Sequence, residues 1–128
     1  MLVTIDVILN NWVVLLVYST AGIIVLRLAG RQFAFIAPWL VFLTHLLGIG
    51  LGVGAAVNEI GISLTLAYVI PHGIFELTGL ALACFVGSRV VEHRQVWRPL
   101  LPIAAALIVV AAFIEVHITP YPIIAWVR

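Results

Sequence analysis

The chain has 128 residues, of which 65% are hydrophobic and 9% charged, with a formal net charge of +1. Soluble domains carry charge on about a quarter of their residues, so this chain cannot coat a globule with polar side chains. Disorder is excluded by the same hydrophobicity, nucleic-acid binding by the small net charge, and an internal disulfide by the single cysteine, Cys84.

The charges punctuate the sequence. Val7 to Leu26 and Phe33 to Asn58 contain none. Ile60 to Ser88 contains only Glu76, and Pro99 to Val127 only Glu115. A helix needs about 20 apolar residues to cross the hydrocarbon. The expectation is an all-α polytopic bundle forming one transmembrane domain over 1–128, with spans near 7–27, 33–57, 61–88 and 99–119. A β-barrel would alternate apolar and polar residues, which these uniformly apolar segments do not. No signal peptide is expected: the N-terminus carries Asp6 and no Arg or Lys, and no small-residue cleavage site closes the first segment.

In span 1, Asn10 and Asn11 lie in the outer half, read as interhelical hydrogen-bonding groups, and Trp12 lies near an interface. Span 2 carries His45 at its centre and Gly48, Gly50, Gly52 and Gly54 beyond it. These glycines form two overlapping small-xxx-small pairs, expected to pack helices inside the chain or to join two protomers. Span 3 is expected to kink just before Pro71, since proline removes a backbone donor and crowds the preceding turn. His72 and Glu76 are four residues apart and share a helix face. Gly79, Ala83 and Gly87 form a small-residue face below them. Span 4 is rich in alanine, carries Glu115 and His117, and is expected to end at Thr119-Pro120, leaving 120–128 as an interfacial tail anchored by Tyr121 and Trp126.

Five of the six Arg (Arg27, Arg31, Arg89, Arg94, Arg98) fall on one side of this arrangement, with Asp6, Glu59 and Arg128 on the other. The positive-inside rule makes the Arg side cytoplasmic and puts both termini outside. It also favours a spanning third segment over a re-entrant one, and suits the cell membrane.

Residue counting puts His45, His72, Glu76 and Glu115 near mid-depth, with His117 somewhat further out. A carboxylate there costs at least ~2.5 kcal/mol on insertion scales and should face the bundle interior. Three readings compete: a polar cluster fixing helix positions, a proton or ion path, and a metal or acid/base site. Histidine and carboxylate can bind zinc. The chain lacks a HExxH helix or a G-x-S-x-G elbow. Ser19, Ser63 and Ser88 have no nearby base in sequence, and His93 reads as a solvated loop residue. Neither a metal nor a cofactor is expected.

Pro71-His72-Gly73-Ile74-Phe75-Glu76-Leu77 resembles the PHG-x-x-E-L signature of the stage II sporulation protein M family. Ala111-Ala112-Phe113-Ile114-Glu115 followed by Thr119-Pro120 is similar to that family's second signature, and Asn10-Asn11 to an Asn pair before an earlier span. Many members have a further span and an extracytoplasmic loop before that pair, and the glycine-rich span 2 carries no clean Asn-Gly. The resemblance implies a helical membrane protein that is no established enzyme. It also implies a membrane subunit like the sporulation member, which serves a cell-wall remodelling assembly with hydrolase partners. His72, Gly73, Glu76, Glu115, Thr119 and Pro120 fall on motif positions. The leading expectation is therefore a non-catalytic subunit or scaffold whose His/Glu cluster joins helices 3 and 4. Its partners would be the lipid bilayer and a second copy or other membrane subunits. The alternative is a channel or transporter for protons, ions or a small solute.

Overall fold

The computed structural model describes residues 2–89 and 99–118, with side chains from residue 8 onward. Four helices make up these residues: α1 (Leu2–Ala29), α2 (Arg31–Ile60), α3 (Ile62–Arg89) and α4 (Leu100–His117). No strand occurs among the described residues. All four are long and apolar enough to cross a membrane. At ~1.5 Å per residue, α1 to α3 are each about 42–45 Å long and exceed a ~30 Å hydrocarbon core. Trp97, Tyr121, Trp126, Thr119, Pro120 and the rest of the expected tail lie outside the described residues, as do His93, Arg94, Arg98 and Arg128.

Lipid offers no hydrogen bonds, so backbone polar groups must find partners within the chain. Several Ser and Thr hydroxyls also bond locally. Thr20 donates to the Leu16 carbonyl at 2.6 Å, Thr78 to Ile74 at 2.6 Å, Thr65 to Gly61 at 2.9 Å and Ser88 to Phe85 at 2.8 Å. Two single glycines reverse the chain: Gly30 (φ 94°) joins α1 to α2, and Gly61 (φ 82°) joins α2 to α3. Such positive φ values suit glycine, which has no Cβ to clash. α3 is one helix through Pro71, and α2 is one helix through Pro38.

α1 and α3 form the centre. Each packs on the other and on both outer helices, α2 and α4. The core is Leu15, Tyr18, Leu80, Ala83, Cys84, Ala104 and Ile108. Small residues set the spacing, since van der Waals packing rather than water exclusion holds membrane helices together. A Cβ on Gly22 would strike the Gly87 carbonyl, and a Cβ on Gly87 the Tyr18 carbonyl. Two turns back along α3, a Cβ on Gly79 would lie 2.9 Å from the Ala104 carbonyl. The expected Gly79, Ala83, Gly87 face is thus the packing face of α3. Pro38 closes the same region from α2: it is buried against Gly87, and its carbonyl accepts the Cys84 thiol at 3.4 Å.

The four α2 glycines behave differently from the expectation of internal packing. A Cβ on Gly48, Gly50, Gly52 or Gly54 would meet nothing within 4 Å. The only buried residues of α2 are Ala34 and Pro38, both in its first third. The physical reason is the one-sided anchoring of α2. It is clamped where Pro38 meets Gly87 and where Val41 and Phe42 pack on the core, and no residue beyond Pro38 is itself buried. Successive glycine pairs also face opposite ways, because two residues turn a helix by about 200°. Gly48 and Gly52 face concave spaces within the chain, whereas Gly50 and Gly54 line neither.

Candidate polar recess at mid-depth

The looseness of outer α2 leaves a recess of about 690 Å³. Each helix contributes to its wall: Asn10 and Asn11 from α1, His45 from α2, Tyr68, His72 and Glu76 from α3, and Glu115 from α4. The remaining wall is apolar or small, including Ile49, Val53, Val69, Leu77, Gly52 and Gly73.

The packing contacts fix the relative heights. Take Gly87 as origin, level with Pro38 and with the Tyr18–Gly22 turn. At ~1.5 Å per residue His45 then lies about 10 Å up the bundle, Glu76 about 17 Å and His72 about 22 Å. Gly79 meets the Ala104–Ile108 turn, which carries Glu115 to about 25 Å. His72, Glu76 and Glu115 therefore straddle the middle of a bundle roughly 42 Å tall. Glu76 and Glu115 are each half-buried.

No hydrogen bond or ion pair joins Glu76, Glu115 and His72 to one another among the described residues. They surround a space instead of touching across it. The α3–α4 contact is made lower down, at Gly79, Leu80, Ala104 and Ile108. Beside the recess, His72 Nδ1 and the Tyr18 hydroxyl are buried and have no hydrogen-bond partner among the described residues. Such atoms are rare in folded proteins and ask for an explanation. Tyr18, 2% exposed, lies edge-on to the His45 ring at 6.0 Å. Tyr68 stands edge-on to His72 at 6.1 Å.

Of the residues singled out in sequence, His45, His72, Gly73, Glu76 and Glu115 line the recess, with Asn10 and Asn11. Pro71 is half-buried beside them. His117 does not line it: it is exposed, its ring tilted against Phe113 at 4.6 Å. Sequence reasoning missed Tyr18 and Tyr68. The signal for Tyr18 was the face Asn11, Leu15, Tyr18, Gly22, at spacings of four, three and four.

The recess is closed toward the Arg end. Tyr18, Pro38, Cys84 and the Gly22/Gly87 crossing fill the bundle there. Arg27, Arg31 and Arg89 all lie at that end, with Arg89 5.7 Å from the Phe35 ring centre and 5.3 Å from that of Phe85. Glu59 lies at the opposite end. No group of three or more His, Cys, Asp or Glu side chains among the described residues converges closely enough to hold a metal ion.

Four apolar helices around a polar mid-depth recess define an α-helical polytopic integral membrane protein. Residues 1–120 match the family model of stage II sporulation protein M. The chain belongs to that family. No curated protein and no solved structure matches it.

Proposed function

We propose that the chain is a non-catalytic membrane subunit or scaffold whose recess is a one-sided docking or binding space, not a passage. The observation that carries this is the packed floor. A Cβ does not fit at Gly22 or Gly87, so neither water nor an ion passes between α1 and α3 at their crossing. The mid-depth carboxylates favour transport of a proton, ion or small solute as the second reading, because ionisable groups inside membranes commonly mark such paths.

Flux through proteoliposomes separates the two. The subunit reading predicts the same background proton and monovalent-cation flux for wild type and Glu76→Gln. A wild-type flux well above background that Glu76→Gln removes contradicts it and establishes the transport reading.

The positive-inside rule assigns the end bearing Arg27, Arg31 and Arg89 to the cytoplasm. The recess then occupies the middle and outer half, and an epitope after residue 128 is reached from outside intact cells. The outward pair Gly50/Gly54, flanked by Leu47 and by Leu51 at 78% exposure, is the face on which a second copy or another subunit would seat.

A further inference from the structure

The recess also has a chemistry of its own. Its ionisable groups are acids and imidazoles, and the described Arg residues stand at the far end, about 20 Å along α3 from Glu76. Two carboxylates at this depth need compensating positive charge. A metal ion needs several donors around one point, which the described side chains do not offer. The volume of about 690 Å³ is that of a small-molecule site. The wall is mostly apolar, with a few polar groups set into it.

We propose that the recess binds an organic cation with N–H donors, a primary alkylammonium group, carried by a free amine or by a lipid head group. The ammonium sits between Glu76 and Glu115, whose carboxylate oxygens accept hydrogen bonds from its N–H groups. His72 Nδ1, buried and without a partner, accepts a further N–H. Tyr68 lines the same space beside His72. The alkyl part lies against Ile49, Val53, Val69 and Leu77. Gly73 keeps the space open: a Cβ there meets only Val69 Cγ1, at 3.6 Å. This inference goes beyond the subunit reading and does not depend on it, since amine binding and nil flux are read in separate experiments.

The test is isothermal titration calorimetry of the full chain in detergent with n-butylammonium chloride, n-butanol and sodium butyrate. Saturable binding of butylammonium is expected, with butanol at least about tenfold weaker, or about 1.4 kcal/mol, and butyrate silent. Gly73→Leu, which fills the recess and keeps both acids, and the double variant Glu76→Gln/Glu115→Gln, which keeps its shape, are each expected to remove binding. Nanodiscs of phosphatidylcholine alone, or with phosphatidylethanolamine, identify the source. Loss of butylammonium binding in the second kind assigns the site to a lipid amine, and equal binding in both assigns it to a free amine. The proposal is overturned if wild type binds no butylammonium in detergent or in phosphatidylcholine discs. It is equally overturned if butyrate binds as well as the amine, or if binding survives Gly73→Leu. Should the double variant fail to fold, Gly73→Leu and the comparison of the three probes on wild type decide the matter.

Discussion

Gly87→Ala is expected to destabilise the bundle by about 3 kcal/mol, the upper end of the range for overpacked cores. Its new methyl group would run into the Tyr18 carbonyl, with Pro38 Cγ at 3.2 Å and the Ser19 Cα at 3.3 Å on its other sides. Two of these three neighbours are backbone, so α1 itself must move. That movement would disturb the Gly22 contact and the Cys84–Pro38 hydrogen bond, which share the crossing. Denaturation in mixed micelles should show the loss. Gly50→Ile is the control: its Cβ meets nothing within 4 Å. It is expected to leave the stability of the monomer unchanged within about 1 kcal/mol while weakening self-association. Equal stability of wild type and Gly87→Ala would show that the α1–α3 crossing is not where the fold is set.

The second large effect concerns the two acids together. Glu76→Lys alone places an ammonium opposite Glu115 across the recess, so the variant is expected to insert and fold. The same holds for Glu115→Lys opposite Glu76. The double variant Glu76→Lys/Glu115→Lys leaves two ammonium groups in one space with no described carboxylate facing them. At ~2.5–3.5 kcal/mol for each uncompensated charge at helix centre, the double variant should cost about 5–7 kcal/mol and fail to fold. Yield of monodisperse protein on size-exclusion chromatography reads this. Additive, mild losses would mean that the two side chains do not share a space.

Much of the arrangement was legible because lipid simplifies the code. Where charges are so few, their positions alone delimit the four helices and place Arg27, Arg31 and Arg89 at one end. Counting residues along a straight helix brought His72, Glu76 and Glu115 to within about 8 Å in height, because rise per residue is fixed, whereas His45 lies about 7–15 Å lower than these three. Spacing of four also identified Gly79, Ala83 and Gly87 as a packing face. What the count could not supply was direction around the axis. His117 is only two residues from Glu115, and that step of about 200° turns it away from the recess. The glycines of α2 misled for a related reason. Small-xxx-small spacing marks a face that permits close approach without saying that a neighbour is present. The anchoring of α2 involves Pro38, a buried contact for Gly87 that the sequence reading did not single out. Touching and merely facing residues look alike in one dimension, and His72, Glu76 and Glu115 line a common space.

The most direct measurement places spin labels on single cysteines, in a Cys84→Ala background reconstituted in bilayers, at positions 74, 76, 113 and 115. Ile74 and Phe113 are 61% and 55% exposed on the lipid side of α3 and α4. Each lies two residues from a carboxylate at similar depth. Labels at 74 and 113 should collide freely with dissolved oxygen, while those at 76 and 115 should be sheltered from it and accessible to a water-soluble nickel chelate. Oxygen accessibility at 76 and 115 equal to that at 74 and 113 would put the carboxylates against acyl chains and contradict the recess.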